Sequence, residues 1–200
     1  MNGVAIFPLS TVLFPGGVLP LRIFEARYMD MVRECMKTES AFGVCRITRG
    51  SEAGALADHE RVGCLTSISH WDMEQLGLLH IRTVGTQRFR ILDKTVAANG
   101  LIRADIELID DDPVLEVPAL FACCADIVKK LVERIAEDQP DPEKRPVGEP
   151  YAFDSASWVA NRLCEFLPLE GEARQQLMEL DDPLERLQRV RGVLSERKIV

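Results

Sequence analysis

Six cysteines are the strongest nucleophile candidates in this chain, since a thiolate beside a base can form a covalent intermediate. They are Cys35, Cys45, Cys64, Cys123, Cys124 and Cys164. None belongs to a Cys-x-x-Cys pair, and most lie inside apolar runs, where a thiol keeps its proton and stays inert. The adjacent Cys123 and Cys124 would point about 100° apart on a helix. We therefore predict reduced core thiols and no catalytic cysteine.

Three histidines, His59, His70 and His80, are the other candidates for acid–base chemistry or metal binding. None has a second histidine or cysteine three or four residues away, the spacing that would support a zinc site on a helix. Ser69 and His70 are neighbours on a predicted strand, so their side chains point to opposite faces and cannot easily meet. No glycine-rich loop ending in lysine is present to hold a phosphate. The sequence predicts no catalytic residue, no metal and no cofactor.

Three apolar side chains near a predicted hairpin tip indicate binding rather than catalysis. They are Trp71, Met73 and Leu76, in the stretch SHWDMEQLGLLH. Burial is least expected at such a tip, and an aromatic ring with flexible apolar neighbours suits a contact surface. The alternative is that these side chains fold back onto the end of the sheet. We treat them as the candidate peptide-binding residues.

The opening stretch FPLSTVLFPGGVLPLRIF combines apolar residues with prolines and glycines, and we interpret it as framework. Its framework residues are Phe7, Pro8, Phe14, Pro15, Gly16 and Pro20. Pro15 and Gly16 fit the two central positions of a type II turn, while Pro8 and Pro20 fit strand starts or edge strands. An export signal would need a basic start and an unbroken apolar run, which this stretch lacks. We expect a cytoplasmic protein.

Around this framework, the first 112 residues follow a mainly β-type pattern of short apolar runs separated by turn residues. The predicted strands cover residues 4–7, 18–23, 42–47, 61–71, 78–92 and 101–109. One helix over 25–37 is inserted, because Tyr28, Met31, Val32 and Cys35 recur at helical spacing. Such a strand count suggests a barrel or a sandwich. The acidic run 110–112 before Pro113 ends the β region as a solvated turn.

Residues 113–200 change to a helical period. Apolar residues from Leu120 to Ile135 recur along one face of a long core-facing helix. Residues 138–150 hold four prolines among alternating charges and predict an exposed loop. Further helices are expected from Asp154 or Ser155 through Phe166 and over 170–180. Asp182 followed by Pro183 is a typical start for the last helix.

Composition and charge are those of a soluble folded protein, with 46% hydrophobic and 28% charged residues. The formal net charge of −8 repels phosphate backbones, so nucleic acid is a poor partner. No apolar run approaches the roughly 20 residues of a membrane span, so no membrane partner is expected. The oligomeric state does not follow from the sequence.

The order of motifs resembles one known family across nearly the whole chain. The motifs are Ile6-Phe7-Pro8-Leu9, Phe14-Pro15-Gly16, Leu19-Pro20-Leu21, Glu25-Ala26-Arg27-Tyr28, Val62-Gly63-Cys64, the run from Val84 to Ile91, Leu167-Pro168-Leu169 and the segment 177–187. In this order they resemble the N-terminal substrate-binding domain of the ATP-dependent Lon protease. The resemblance implies an α+β fold: a PUA-like β pseudo-barrel with an inserted helix over 1–112, followed by a C-terminal helical bundle over 113–200.

The resemblance also implies a function without catalysis. The ATPase and protease modules of Lon have no counterpart in these 200 residues, so we expect a free-standing recognition module. Its partners would be unfolded or hydrophobic polypeptide segments, or a protease or chaperone to which it docks. The alternative is a small-molecule hydrolase or transferase with a cysteine- or histidine-based site between the two parts.

Overall fold

Alternating apolar and polar residues build a seven-stranded sheet in the first part of the chain. The structure is a computed structural model that describes residues 1–54, 56–75 and 77–199. Its strands are β1 (Val4–Leu9), β2 (Val18–Ile23), β3 (Phe42–Arg49), β4 (Asp58–His59), β5 (Val62–Gln75), β6 (Leu78–Val96) and β7 (Ile102–Leu108). The helix α1 (Ala26–Thr38) lies between β2 and β3 in the chain. The sequence had predicted each of these elements except the two-residue β4.

The sheet closes on itself through its first strand. The strands β1, β7, β6, β5 and β3 are hydrogen-bonded in that order, and β1 also pairs in parallel with β3. The first half of β6 pairs with β2, and its second half pairs with β7. Along one side, the long β6 therefore pairs with β2 and then with β7. Among the described strands, β2 pairs with β6 alone, so it is an edge strand outside the closed set of β1, β7, β6, β5 and β3.

The apolar run VAIFPL of β1 is buried on both faces, which explains why it does not alternate with polar residues. Ala5, Phe7 and Leu9 join a core cluster that includes residues of α1. Val4 and Ile6 point the other way, into a second cluster with Phe89. A strand with period two thus connects the two clusters.

The described chain divides into two compact units, Met1–Asp110 and Asp111–Val200. The second unit contains four α-helices in its described residues: α2 (Ala122–Asp138), α3 (Ala156–Phe166), α4 (Gly171–Met178) and α5 (Pro183–Glu196). Ser155 caps α3 by accepting a hydrogen bond from the Trp158 amide, and Asp182 caps α5 by accepting one from the Leu184 amide. These caps satisfy amides that have no partner within the helix. The α+β class expected from the sequence is confirmed.

The expectation of a solvated acidic turn was wrong at Asp112. The Asp112 carboxylate is only 7% exposed and lies 2.5 Å from a guanidinium nitrogen of Arg186, which is 1% exposed. It also accepts a hydrogen bond from the Ser157 hydroxyl. Arg186 lies on α5, far along the sequence, and its buried positive charge requires a carboxylate nearby. Local composition around 110–112 carried no sign of that need.

The proline-rich segment 138–150 differs in part from the exposed irregular loop that was expected. It contains a short 3₁₀ helix, Pro142–Lys144, capped by the Asp141 side chain. The Arg145 guanidinium donates hydrogen bonds to the carbonyls of Gln139 and Pro140, and Val147 is buried. Turn-forming prolines and one apolar anchor therefore order a segment whose remaining residues are mostly exposed.

Candidate functional site

Two of the three predicted contact residues lie on the solvent side of the β5–β6 hairpin. Trp71 is 52% exposed and Met73 is 43% exposed, although both belong to β5. Trp71 pairs with Ile81 across the hairpin. Leu76, the third predicted residue, lies outside the described residues. The strand continues past Trp71 to Gln75, four residues further than the sequence pattern indicated.

Trp71 borders a groove of about 400 Å³ between β5 and the end of α1, which we call the hairpin groove. Its apolar lining comprises Cys35, Met36, Ala41, Ile68 and Trp71. β5 pairs with β3 only as far as Thr66, and beyond this point no other described strand pairs with that side of β5, next to the groove. The left-handed residue Glu39 ends α1 and places its own charge at the rim.

The type II turn predicted at Pro15 and Gly16 is present in the structure. The Gly17 amide donates a 2.9 Å hydrogen bond to the Phe14 carbonyl, and Gly16 has φ of +74°, as the third position of a type II turn requires. Gly85 lies against this turn: it accepts from the Gly16 amide and donates to the Gly17 carbonyl. A Cβ atom at Gly85 would stand 2.3 Å from the Phe14 carbonyl oxygen, so only glycine fits. Phe14 itself is fully buried.

The other framework residues surround a second groove, which the sequence reasoning missed. Phe7 is buried and stacks on Tyr28 with 3.9 Å between ring centroids, and Pro8 is buried where β1 pairs with β3. Pro20 is exposed on the edge strand β2. Alongside β2 lies a groove of about 350 Å³, which we call the edge groove. Its lining includes Phe7, Leu9, Tyr28 and residues 20–23 of β2.

Charged side chains border the edge groove. Glu25 forms a 2.8 Å ion pair with Arg27, and the Glu52 carboxylate accepts a 2.6 Å hydrogen bond from the Ser10 amide. Burial raises the pKa of Tyr28, and Glu25 and Glu52 act in the same direction while Arg27 opposes them. Phe24, also in the lining, is 63% exposed. An exposed phenylalanine next to a proline-containing edge strand is the sequence signal that could have indicated this groove.

The buried thiols are poor nucleophiles. Burial raises the pKa of Cys45 and of Cys164 to about 12, and burial together with its neighbour Cys123 raises that of Cys124 to about 12. Burial also raises the pKa of Cys35. The thiolate is the reactive form, so these groups stay protonated and inert near neutral pH.

Of the three histidines, His59 has a defined hydrogen-bond arrangement. Its Nδ1 lies 2.8 Å from the Glu60 carbonyl oxygen and its Nε2 lies 3.0 Å from the Lys94 ammonium. Burial lowers the pKa of His59, and Lys94 acts in the same direction against the opposing carbonyl contact. A neutral ring that donates from Nδ1 and accepts at Nε2 satisfies both contacts. His59 is therefore a structural residue in this arrangement.

The other catalytic and metal-binding arrangements considered from the sequence are absent from the described residues. His70 lies opposite Arg82 and His80 lies opposite Asp72, so the two histidines are not cross-strand partners. The Ser69 hydroxyl donates to the Arg82 carbonyl. Among the described residues, no group of three or more histidine, cysteine, aspartate or glutamate side chains could hold a metal ion. Within the same residues, no helix is long and apolar enough to cross a membrane.

A family model for the substrate-binding domain of the ATP-dependent protease La (Lon) matches residues 3–196. The chain belongs to the Lon substrate-binding domain family. The crystal structure of a Lon N-terminal domain protein from Xanthomonas campestris superposes with a TM-score of 0.76 at 32% identity, covering 96% of this chain and 98% of that one. The N-terminal domain of a Mycobacterium avium complex Lon protease superposes with a TM-score of 0.57 at 15% identity, covering 94% and 95%, which shows the shared fold.

Curated relatives have the name Lon protease and are much longer than this chain. The protein from Parabacteroides distasonis is 26% identical over 197 residues, which is 96% of this chain and 24% of that protein. Lon protease 2 from Herpetosiphon aurantiacus is 27% identical over 203 residues, 96% and 23% respectively. The chain thus spans about a quarter of the length of these relatives. The family resemblance found in the sequence motifs is confirmed.

Proposed function

We propose that this domain binds polypeptide segments without catalysing a reaction, and that the hairpin groove is its contact surface. Membership in a family described by substrate binding for an ATP-dependent protease supports the first part. The half-exposed Trp71 beside an apolar groove is the observation that supports the second. Bound segments would be unfolded or hydrophobic stretches of client proteins, or a segment of a protease or chaperone partner.

The hairpin groove has the chemistry of an adaptable apolar surface. Met36 in its lining, and Met73 two residues along β5 from Trp71, have unbranched, flexible side chains that adjust to ligands of different shape. Trp71 offers a large rigid ring that gains contact area at little cost in side-chain entropy. Client segments differ in sequence, so a surface of this kind suits them better than one built from a few fixed hydrogen bonds.

The buried groups support a role without catalysis. The thiols of Cys45, Cys124 and Cys164 have pKa values raised to about 12, which makes these three thiols poor nucleophiles for the hydrolase alternative. The neutral His59 is engaged on both ring nitrogens. These observations favour binding over the cysteine- or histidine-based enzyme.

Titration with a permanently unfolded protein, reduced and carboxymethylated lysozyme, tests the function and the site together. We expect binding by the wild type and at least a fivefold loss in Trp71→Ala, since a central aromatic contact is worth about 1–2 kcal/mol or more. Leu92→Ala is the matched control, because Leu92 is 56% exposed on β6 and does not line the groove. Fluorescein attached to the unfolded lysozyme reports binding as a rise in anisotropy, since the tryptophans of lysozyme would obscure the fluorescence of Trp71.

Two results would count against the proposal in different ways. Absence of binding by the wild type to any unfolded protein would reject the function. Equal binding by Trp71→Ala and the wild type would reject only the hairpin groove. Affinity capture from cytoplasmic extract then distinguishes many unfolded clients from one protease or chaperone partner.

A further inference from the structure

The strand β2 has a regular backbone edge that no other described strand covers. Its partner is β6, with a register that runs without a shift from Val18 opposite Val84 to Ile23 opposite Leu79. The Gly85 amide donates to the Gly17 carbonyl, and the Thr83 hydroxyl reaches the Leu19 carbonyl. In an antiparallel pair the hydrogen-bonding residues alternate. The backbone groups of 19, 21 and 23 therefore face β6.

The same alternation turns the backbone groups of Val18, Pro20 and Arg22 away from β6. Pro20 has no amide hydrogen, and in a strand it is tolerated where that hydrogen would face outward. The amides of Val18 and Arg22 and the carbonyls of all three residues are then available along this edge. No hydrogen bond to another described residue engages the outward groups of Val18 or Arg22. The edge groove lies alongside these groups.

The edge groove has an apolar floor, and its lining also contains the guanidinium of Arg22 and the carboxylates of Glu25 and Glu52. Phe7, Leu9 and Tyr28 line it, and Phe24 is exposed beside it. Glu25 is neutralised by Arg27, whereas Glu52 has no basic partner among the described residues. A strand laid along β2 would place alternate side chains on this floor, and a lysine or arginine in it would complement Glu52.

The free side of β5 beyond Thr66 is less suited to a guest strand. Its register shifts between Ile68 and His70 and again between Asp72 and Gln75. Such bulges bend an edge and break the even spacing of hydrogen-bonding groups. β2 keeps that spacing through its whole length.

We propose that an extended apolar polypeptide segment carrying a basic residue adds to the β2 edge as an extra strand, with its apolar side chains in the edge groove. This inference rests on the proposed polypeptide binding and assigns it a second contact surface and a backbone mode of recognition. Backbone hydrogen bonds give such a complex affinity that is independent of client sequence, while the groove selects apolar side chains. The basic residue contacts Glu52.

The probe is a fluorescein-labelled peptide, Lys-Thr-Val-Thr-Phe-Thr-Val-Thr-Lys, titrated against the whole chain and followed by anisotropy. Each backbone amide in turn is N-methylated. We expect alternate amides to matter, with a roughly two- to tenfold loss at every second position and little change between them, because each removes one hydrogen bond. A flat response to N-methylation, with binding intact, would overturn the strand addition and leave the proposed function standing.

Hydrogen exchange of the unsubstituted protein shows which of its backbone amides the peptide engages. Bound peptide should slow exchange at the Val18 and Arg22 amides and leave Leu19 and Leu21, already bonded to β6, unchanged. Protection that grows with protein concentration in the absence of peptide would assign the edge to a second copy of this chain and overturn the proposal. Absence of binding by the probe and by every unfolded protein would overturn both the inference and the proposed function.

Glu52→Gln tests the charge while keeping an oxygen to accept the Ser10 amide. We expect this substitution to lower the affinity for the lysine-containing probe several-fold. The affinity for a probe with glutamine in place of lysine should not change. Glu107→Gln, at an exposed carboxylate on β7, is the matched control. An equal effect of the two substitutions would mean that general charge, and not Glu52, attracts the peptide.

Discussion

At the scale of single residues, the fold depends on positions that accept only one residue type. Gly85 is the sharpest case, since its backbone bonds to Gly16 and Gly17 while the Phe14 carbonyl occupies the place of a Cβ atom. These contacts join the Phe-Pro-Gly motif to the Val-Gly-Thr-Gln motif across nearly seventy residues of sequence. The two motifs thus form one structural feature.

Gly85→Ala is expected to lower the free energy of unfolding by about 1–3 kcal/mol, because the added methyl group must displace backbone. Gly192→Ala in α5 is the control: a Cβ atom there meets nothing within 4 Å, and alanine favours a helix by up to about 1 kcal/mol. Urea denaturation of both variants measures the difference. Equal stability of Gly85→Ala and the wild type would contradict the close contact.

His59 should make stability depend on pH in a defined direction. Its pKa is lowered in the folded state, so on acidification the unfolded chain takes up the proton first, near its ordinary pKa of about 6.5. The contribution of His59 is therefore fully present above about pH 6.5 and is lost as the pH falls below that value. Urea denaturation at pH 7.5 and pH 5.5 should show a larger loss for the wild type than for His59→Gln. The reverse order would disprove a neutral His59.

At the scale of elements, the helical unit is held by a buried ion pair rather than by packing alone. Arg186 on α5 contacts Asp112, and it also donates to the Asn161 side chain on α3 and to the carbonyls of Leu177 and Leu180. One guanidinium thus joins the start of the unit to three of its helices or their ends. Removing one partner would leave a buried charge uncompensated.

Asp112→Asn is expected to destabilise the protein by about 3–5 kcal/mol, and adding Arg186→Met to it should recover part of that loss. Glu185→Gln breaks a surface ion pair with Arg189 on the same helix and should cost less than about 0.5 kcal/mol. Thermal unfolding of the wild type, Asp112→Asn, Arg186→Met and the double variant gives the coupling energy of the pair, with Glu185→Gln as the surface control. A cost for Asp112→Asn no larger than that of Glu185→Gln would contradict the buried pair.

The elements were largely predictable, because their causes are local. The alternation in 102–108, the helical spacing of Tyr28, Met31 and Cys35, and the cap at Asp182 each act within one segment. The ion pair of Asp112 joins residues 74 positions apart, and no local pattern records it. The edge groove was missed for the same reason. It exists because β2 pairs with β6 on one side and with no described strand on the other, and the sequence of β2 does not record which strands pair with it. Trp71 and Met73 as contact residues stay predictions.

At the scale of the whole molecule, both units bury thiols that report on their stability. Cys45 and Cys64 are buried in the first unit, and Cys124 and Cys164 are buried in the second. Cys123 is partly exposed. A thiol reagent can reach the buried groups when the surrounding structure opens.

Labelling with a thiol reagent at pH 7, resolved by mass spectrometry, should modify Cys123 first. The buried thiols should follow at least about a hundredfold more slowly, since local opening costs several kcal/mol. Asp112→Asn should speed the labelling of Cys164 within its own unit. Rapid labelling of Cys45 or Cys64 in the folded wild type would instead support the alternative of a cysteine-based enzyme.

The closure of the sheet through β1 also affects how fast, and in what order, the domain folds. β1 pairs with β7, from Val4 opposite Ala104 to Ile6 opposite Ile102, so the ring joins residues almost a hundred positions apart. Contacts of such long range form slowly, because the chain must lose loop entropy before it gains them. During synthesis, β1 is made before β7, so the edge of β1 that pairs with β7 stays unpaired until β7 is made. The nascent domain, which we propose binds polypeptide segments, would thus itself display, until β7 is made, the kind of unpaired edge on which other chains aggregate.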